Sequence, residues 1–324
     1  MAIKVGFVGT GGRARSHMKP LSEIEDVEFA AMCDVAEATA QEAADQFGGN
    51  VYTDYKAMLD SESLDAMYVV VPTFAHFDAE TMAAERGVHL FLEKPVAPSM
   101  AKANEILAAT KKADVITCVG YQLRYFGAVQ QARQFARGRT MGMVVSPRWG
   151  GLPGTPWWRV MAQSGGQLVE QTTHQVDMIR YVAGEITEVQ AYYVLRTLGD
   201  VDNLDIPDNY AITFKMENGA IGSLSSSCAL REGGGSSGID FILDDARMNL
   251  TGASVSLFPD NAGDLGDSPE AKDIDQVFIN AVRTGDRFEI LSDLEDGIRS
   301  LDVSLTANRS AETGSPQKTE YGRS

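Results

Sequence analysis

The 324 residues of this chain include 28 lysines and arginines against 45 aspartates and glutamates, which gives a net charge of −17 at pH 7. Nucleic acids and anionic membranes bind proteins through lysine and arginine, so a chain this acidic is expected to bind neither. A hydrophobic content of 44% and a charged content of 23% are ordinary for globular proteins, and the length allows two domains with separate cores.

The three cysteines are far apart, and no two of them have Cys-x-x-Cys spacing. The sequence therefore indicates neither a disulfide framework nor a zinc site, and no ligand cluster for another metal is apparent. The first residues lead directly into an apolar strand without a signal-peptide pattern, and no apolar run approaches the roughly 20 residues that span a bilayer. We expect a protein of the reducing cytoplasm.

The first part of the chain alternates apolar strands with helical segments. Strands are predicted at 3–8, 27–33, around 51, 66–71, 89–92 and 116–119. Helices are predicted from the turn after the first strand toward Leu21 and at 35–47, 53–59, 74–85 and 99–112. Apolar strands joined by helices are typical of a parallel sheet that is covered on both faces. The predicted fold class is therefore α/β, with a doubly wound Rossmann domain over residues 1–120.

A glycine-rich turn joins the first strand to the first helix and reads Gly9-Thr10-Gly11-Gly12-Arg13-Ala14. In this context the first glycine permits a tight turn, the second lets the backbone approach a pyrophosphate, and the alanine lets the helix pack closely on the sheet. The helix N-terminus adds N–H groups and a partial positive charge. Strand, turn, helix and second strand together predict a dinucleotide site.

Asp34 ends the second strand, where its carboxylate can accept hydrogen bonds from both ribose hydroxyls. A 2′-phosphate at that place would meet a negative charge, so NAD is favoured over NADP, although Arg13 and Arg15 lie near in sequence. A second run with the same glycine spacing, at residues 233–238, joins two strands instead of opening a helix. It is therefore expected to be a hairpin loop.

After residue 120 the pattern changes to that of an α+β domain over residues 121–324. One helix at 126–137 precedes strands at 143–149, 188–195, 209–216, 221–228, 239–243 and 247–250, and two helices close the chain. Turns separate the later strands, which predicts a large, mostly antiparallel open sheet. The last helix is expected to begin with a capping box at Ser292 and to end near Arg309, with a frayed tail after Gly314.

An acid, a base and a proline directly follow the fifth predicted strand, as Glu93, Lys94 and Pro95. Ligands of doubly wound sheets bind beyond the carboxyl ends of the strands, so Glu93 and Lys94 are expected to point toward one. Pro95 disfavours the helical region for Lys94 and so sets the direction of the lysine. The alternative is a solvated charge pair at the start of a loop.

A second polar stretch lies between the strands of the C-terminal half. If it is helical from about residue 167, then Glu170, His174, Asp177 and Tyr181 fall on one stripe. A histidine with a pKa near ~6.5 suits proton transfer, and a cationic lysine beside it favours its neutral, basic form. The alternative is a charged stripe that faces water. His17 and His89 are interpreted as structural, and His76 as a helix cap or a neighbour of the cofactor.

These motifs resemble the Gfo/Idh/MocA oxidoreductases, the family of glucose–fructose oxidoreductase and inositol dehydrogenase. The glycine turn, Pro72 with His76, the Glu-Lys-Pro motif and the stretch from Gly166 to Asp177 carry the resemblance, which extends over nearly the whole chain. The resemblance implies a Rossmann domain and a C-terminal domain whose open sheet forms dimers or tetramers. It also implies hydride transfer between NAD(P) and a ring hydroxyl of a sugar or cyclitol.

The resemblance also implies catalytic roles for three residues. Lys94 falls on the lysine that polarises the reacting oxygen, and His174 falls on the acid/base histidine. Glu170 stands where many members have an aspartate that orients this histidine. The expected cofactor contacts are Gly9, Thr10, Gly11, Gly12, Arg13, Asp34, Val71, Pro72, His76 and Glu93. The expected substrate contacts are Tyr121, Arg124, Trp158, Arg159 and Asp177, of which Asp177 matches a family aspartate that is either structural or in contact with substrate.

Some alternatives remain open at the level of the sequence. The tryptophans near residue 158 can equally pack a core or a subunit interface. The same family includes enzymes that use tightly held NAD for a transient oxidation during glycoside cleavage, so a hydrolase or lyase is the alternative function. A regulatory protein that binds NAD without turnover is a third possibility.

Overall fold

A computed structural model of the chain describes residues 2–322. These residues form two compact units. The first unit comprises the residues up to Gln122 together with Lys272–Ile298, and the second comprises Leu123–Ala271 with the residues from Arg299 onward. The division into folding domains at residue 120 stays a prediction. The return of Lys272–Ile298 to the first unit has no counterpart in the sequence analysis.

The strands and helices are numbered in chain order. The strands are β1 Ile3–Val8, β2 Val27–Cys33, β3 Asn50–Tyr52, β4 Ala66–Val69, β5 His89–Leu92, β6 Thr117–Val119, β7 Met141–Trp149, β8 Ile186–Val194, β9 Asn209–Met216, β10 Ile221–Ser227, β11 Ser236–Leu243, β12 Arg247–Thr251, β13 Ser254–Phe258 and β14 Gln317–Lys318. The helices are α1 Gly12–Leu21, α2 Glu37–Phe47, α3 Tyr55–Ser61, α4 Ala79–Glu85, α5 Met100–Ala113, α6 Gly127–Ala136, α7 Met161–Ser164, α8 Thr173–Ala183, α9 Ile274–Thr284 and α10 Leu294–Thr313. Among the described residues, no helix is both long and apolar enough to cross a bilayer.

The first unit is built on a six-stranded sheet in which every pair of neighbouring strands is parallel. The strand order, β3-β2-β1-β4-β5-β6, is that of the doubly wound dinucleotide-binding fold. All four residues of β4 are buried, as a strand covered by helices on both faces requires. The predicted Rossmann sheet is confirmed.

The helix predicted over residues 74–85 is wrong in its first half. A short 3-10 turn, Thr73–Ala75, follows Pro72, and α4 begins only at Ala79. His76 lies between the two with an extended backbone, φ −78° and ψ 96°. The extended backbone shows that His76 is not in the first turn of a continuous helix, and its side chain bonds to Glu80.

The second unit contains an eight-stranded sheet in the order β13-β12-β11-β7-β10-β9-β8-β14. Only β7 and β10 are parallel; the other neighbours are antiparallel. After its first residue, β9 alternates buried and exposed positions strictly, which is typical of a sheet with one covered face. The predicted mostly antiparallel open sheet is confirmed.

Two predictions for this unit are wrong because they depend on distant pairing. Strand β11 pairs with β7, which separates it from β10, so the glycine run at residues 233–238 does not form a hairpin loop: its first half lies in the crossover connection from β10, and its second half opens β11. The described part of the tail, residues 315–322, is not frayed, because β14 pairs with β8, whereas residues 323–324 lie outside the described residues. The buried carboxylate of Asp302 also accepts the main-chain N–H groups of Glu320 and Tyr321, at 2.6 and 3.3 Å.

Candidate cofactor site and catalytic residues

The glycine turn after β1 is tight at one end and open at the other. Gly9 has φ +85°, and a Cβ at this position would lie 2.1 Å from the carbonyl oxygen of Val70. At Gly11 and Gly12 an added Cβ would meet nothing within 4 Å. Helix α1 begins at Gly12, so its first N–H groups face this open space. The turn therefore fits the pyrophosphate of a dinucleotide.

Asp34 is fixed at the carboxyl end of β2 by hydrogen bonds from two sides. One carboxylate oxygen accepts the N–H of Thr10 at 3.0 Å and its hydroxyl at 3.3 Å, and the other accepts the N–H of Ala36 at 3.0 Å. The acceptor is thus held in place for the hydroxyls of a ribose. Thr10 acts here by orienting Asp34, which is a role that the sequence did not predict.

The two arginines near the turn are both engaged by carboxylates. Arg13 donates to Glu93 through Nε at 2.6 Å, and Arg15 donates to Glu42 at 2.8 Å and to the carbonyl of Thr10. A 2′-phosphate would have to displace one of these partners and approach Asp34. The arrangement therefore favours a dinucleotide without that phosphate.

Glu93 is buried and lies in a charged cluster that also contains Arg13, His17 and Asp275. Its Oε1 accepts from Arg13 and from Nε2 of His17, the latter at 3.0 Å. Nδ1 of His17 lies 2.8 and 3.0 Å from the two carboxylate oxygens of Asp275 in α9. Glu93 is therefore saturated by protein groups; its predicted contact with the cofactor stays a prediction.

The cluster shifts the titration of its members. Burial alone lowers the pKa of His17, but hydrogen bonds to Asp275 and Glu93 and their negative charges outweigh it and raise the pKa to about 9. Burial alone raises the pKa of Glu93, but the hydrogen bond from His17 and the charges of Arg13, His17 and Lys94 lower it to about 2. At neutral pH His17 is a cation and Glu93 an anion.

Lys94 follows Glu93 and is partly exposed, whereas Glu93 and Pro95 on either side of it are buried. The main-chain N–H of Lys94 donates to Oε2 of Glu93 at 2.9 Å. The backbone of the lysine is thus held by the charged cluster. This geometry is unlike a solvated charge pair at a loop start, because Glu93 is not solvated.

The loop after β4 contains a second buried pair, His76 and Glu80, joined by an Nδ1–Oε1 distance of 2.5 Å. Nε2 of His76 and Oε2 of Glu80 are buried and have no partner among the described residues. Buried polar atoms are normally satisfied, so this pair fits a polar group of a bound molecule. Val71 and Pro72, in the same loop, are partly exposed.

In the second unit, helix α8 is preceded by a π-helical turn, Leu168–Thr172, which contains Glu170. π-Helical turns within helices are frequent at functional sites. Gly165 and Gly166, with φ +70° and +88°, turn the chain into this segment. Glu170 is buried, and His174 is the one residue of α8 that is not fully buried. The alternative of a charged stripe facing water is therefore wrong.

Arg124 and Asp177 are 2% and 1% exposed and bind each other in a two-pronged ion pair. Nε and Nη2 of the arginine lie 2.9 and 2.6 Å from the two carboxylate oxygens, and Ser300 donates to the same carboxylate at 3.0 Å. This geometry indicates that the pair anchors α8 within the second unit. Contact of either residue with substrate stays a prediction.

The remaining predicted substrate residues lie in varied surroundings. Tyr121 is 1% exposed. Trp158 and Arg159 belong to the 3-10 turn Pro156–Arg159 and are partly exposed. Trp158 packs on an apolar cluster of Leu198, Ile206 and Cys228, which is the core-packing alternative. Their contact with substrate also stays a prediction.

The sequence predicted only a structural role for His17 and none for Asp275. A signal for His17 was available, because Arg13 and His17 stand four residues apart on α1 and therefore share one face of the helix. Both side chains reach Glu93 from that face. No local signal marks Asp275, which lies 258 residues from its partner.

The fold and the site define the class of protein. The chain matches the family model described as an oxidoreductase family with an NAD-binding Rossmann fold over residues 3–121, and the model of the GFO/IDH/MocA C-terminal domain over residues 129–256. The protein therefore belongs to the Gfo/Idh/MocA family of NAD-binding oxidoreductases, as its sequence motifs predict.

Several relatives have been named as dehydrogenases. The chain is 26% identical to myo-inositol 2-dehydrogenase of Thermotoga maritima over 80% of this chain and 75% of the relative. It is 27% identical to D-glucoside 3-dehydrogenase of Escherichia coli over 96% of both chains. The solved structure of the WlbA dehydrogenase of Bordetella pertussis, in complex with NADH and UDP-GlcNAcA, has a TM-score of 0.84 at 20% identity and covers 98% of this chain and 99% of its own.

Proposed function

We propose that the protein is an NAD-dependent dehydrogenase that oxidises a ring hydroxyl of a sugar or cyclitol, with Lys94 and His174 as its catalytic residues. The proposal rests on a feature that Lys94 and His174 have in common. Each is partly exposed while the residues on either side of it are buried, so each lies at the edge of the buried interior on backbone that its neighbours hold in place. Groups on rigid backbone suit the positioning of a substrate.

The residues of the glycine turn bind the pyrophosphate, and Asp34 accepts hydrogen bonds from the ribose hydroxyls. NAD supplies the hydride acceptor when it is bound. The ammonium group of Lys94 holds the reacting oxygen and stabilises the negative charge that develops on it. His174 would take the hydroxyl proton as general base, which the transfer of a hydride from the same carbon to bound NAD requires. Glu170 is the group proposed to orient His174.

NAD is proposed as the cofactor in preference to NADP. Asp34 is held in the position that a 2′-phosphate would approach, and Arg13 and Arg15 are already paired with Glu93 and Glu42. The proposal of a cyclic polyol as substrate is supported by the relatives that are named as inositol and glucoside dehydrogenases. The three cysteines are free thiols, which supports a cytoplasmic location.

We further propose that the protein is a homodimer or homotetramer assembled through the open face of the eight-stranded sheet. Large apolar side chains project from this face, among them Met143, Trp149, Tyr192, Val194 and Ile221, each between 41% and 65% exposed. Apolar side chains that cluster on one face of a sheet are typical of a buried interface. A symmetric contact of this face with its copy would cover them.

A direct test mixes the purified protein with NAD and a panel of inositols, aldoses and glycosides and follows NADH absorbance and product formation. We expect one class of substrate to give NADH, and Lys94→Ala to abolish its formation. Cleavage of a glycoside without net NADH would replace the proposal with the transient-oxidation alternative. Binding of NAD with no turnover of any substrate would replace it with a sensor.

A further inference from the structure

We propose that His17 is a positioning residue for the reaction: its imidazolium holds the Glu93 carboxylate in the orientation that fixes the main chain of Lys94. The inference rests on the proposed function, in which Lys94 polarises the reacting oxygen. His17 does not itself touch the substrate in this account. It acts through Glu93.

The position of the ring dictates its protonation. Nε2 of His17 faces Oε1 of Glu93 at 3.0 Å, and Nδ1 faces Asp275 at 2.8 Å. A neutral imidazole has one N–H and one lone pair, so one of its nitrogens would point a lone pair at a carboxylate. Only the imidazolium donates to both acceptors. The ring is 2% exposed, so water cannot serve as a substitute partner.

Glu93 divides its oxygens between the cluster and Lys94. Oε1 accepts from His17 and Arg13, and Oε2 accepts the main-chain N–H of Lys94 at 2.9 Å. Gly120 closes the other side, because a Cβ there would lie 2.7 Å from Oε1. Rotation of the carboxylate would break all three hydrogen bonds together. The imidazolium therefore determines where the lysine leaves the strand.

The surroundings of His17 are otherwise apolar or neutral. Its ring lies 4.8 Å from that of Phe91 and 5.9 Å from that of Tyr68, measured between centroids. The charged groups that face it are Glu93 from the end of β5, Asp275 from α9 and Arg13 from its own helix. With the positive charge of His17 itself, the two positive and two negative charges of the cluster sum to zero. The rival explanation is that the cluster only stabilises the first unit.

The test compares His17→Gln with His89→Asn. His89 begins the same strand β5 that ends before Glu93, and its Nδ1 accepts the N–H of Ile116 at 3.0 Å, a role that an asparagine oxygen can reproduce. We expect His17→Gln to lower kcat on the order of 10²-fold, as misplacement of a reacting group does, with the Kd for NAD unchanged. His89→Asn should keep kcat. An NAD-saturated His17→Gln protein with wild-type kcat would overturn the inference.

The pH dependence of kcat is a readout that a merely structural role would not move. In the wild type we expect kcat to fall as the pH rises through about 9, where His17 loses its proton. Asp275→Asn removes one negative partner of His17 but leaves Glu93 and Lys94 intact. It should therefore shift this fall to lower pH. If kcat of Asp275→Asn falls at the same pH as kcat of the wild type, the inference is overturned.

A measurement without catalysis covers the case in which His17→Gln does not fold. Nuclear magnetic resonance of the cofactor-free wild type, with labelled histidine, reports the protonation of each ring nitrogen. We expect both nitrogens of His17 to be protonated at pH 7.5 and His89 to be neutral, with a proton on Nε2 alone, since its Nδ1 accepts the N–H of Ile116 and burial and the charge of Arg287 lower its pKa below the ordinary 6.5. A neutral His17 at this pH would overturn the inference.

The failure of this inference and the failure of the proposed function can be told apart. If Lys94→Ala keeps full activity, the catalytic role of Lys94 is wrong, and His17 has nothing to position. If Lys94→Ala is inactive while His17→Gln has wild-type kcat and an unchanged pH profile, the proposed function stands and only the role of His17 is overturned.

Discussion

Asp34 is the residue at which we expect the discrimination between NAD and NADP. Its carboxylate is oriented by the N–H groups of Thr10 and Ala36, so it is an acceptor fixed before the cofactor binds. Asp34→Ser should raise the Kd for NAD by about 10- to 100-fold, the worth of a hydrogen bond to a charged group, and lower the Kd for NADP. Calorimetric titration with both dinucleotides measures this.

Glu37→Gln is the matched control for Asp34→Ser, because Glu37 lies three residues further on, is exposed, and starts α2. It should leave both Kd values unchanged. Equal preference for NAD in the two variants would show that Asp34 does not contact the ribose.

Asp177 is a residue for which the sequence leaves two roles open, a substrate contact and a structural one. A substrate contact would make Asp177→Asn raise KM, whereas a buried anchor for Arg124 would make it destabilise the protein. We predict the second result, with a loss of about 3–5 kcal/mol in the free energy of unfolding, because the arginine is left buried without its partner charge. Urea denaturation measures this loss.

The control is Asp200→Asn, which removes the carboxylate of an exposed pair with Arg231. Exposed pairs contribute little, so its unfolding curve should match that of the wild type. If Asp177→Asn unfolds like the wild type but has a raised KM, the anchoring role is wrong and the substrate contact is supported.

At the scale of elements, α9 is attached to the N-terminal part of the first unit by charged contacts. Asp275 near its start pairs with His17 of α1, and Arg283 near its end binds Asp26, before β2, through two nitrogens. The first contact is buried and the second is half-exposed. Removal of the buried charge is therefore expected to matter more for stability.

The pH dependence of stability follows from this attachment. Folding raises the pKa of His17 from 6.5 to about 9, so its stabilisation is complete below pH 6.5 and is lost as the pH rises through about 9. The free energy of unfolding falls by about 3 kcal/mol when this stabilisation is lost. Folding lowers the pKa of Glu93 from 4.5 to about 2, so its stabilisation is present above pH 4.5 and is lost toward pH 2.

We therefore predict that the urea midpoint of the wild type falls between pH 6.5 and pH 9, and that this fall is smaller in His17→Gln. His89→Asn serves as the control and should keep the wild-type slope. Parallel curves for the wild type and His17→Gln would contradict a protonated His17 in the folded state.

Elements were predictable from the sequence where their signals are local. The apolar run of β4 and the glycine turn before α1 can each be recognised from a few consecutive residues. The break at His76 was not predictable, because a bond from its side chain to Glu80 replaces the first turn of the expected helix. Strand β14 and the crossover before β11 depend on pairing with distant strands, which no local periodicity encodes.

The same distinction applies to the candidate site. The glycines and Asp34 were found because the dinucleotide motif is contiguous with its strand and helix. The partners of Glu93 could not be found in this way. Arg13 lies 80 residues before Glu93, and His17 also bonds to Asp275 of the distant helix α9. The burial of Arg124 with Asp177 was also hidden, because the two residues are 53 positions apart and no local pattern joins them.

At the scale of the whole molecule, the open face of the eight-stranded sheet is where we expect a second copy to bind. Ile221 is 49% exposed on this face, and a charge there would be buried in the interface. Ile221→Glu should therefore convert an oligomer to monomers in sedimentation equilibrium. Phe288→Glu is the control, because Phe288 is 88% exposed in the first unit. Dissociation by Phe288→Glu alone would place the interface elsewhere.

The central claim is that Lys94 and His174 carry out the oxidation in a protein that binds NAD. The most direct measurement is the rate of NADH formation in a single turnover, with the substrate that the panel identifies, for wild type, Lys94→Ala and His174→Ala. The account predicts that each variant binds NAD with the wild-type Kd and forms NADH at least about 10²-fold more slowly. Lys112→Ala, on an exposed part of α5, should react like the wild type. NADH formation at the wild-type rate in either catalytic variant would contradict the account.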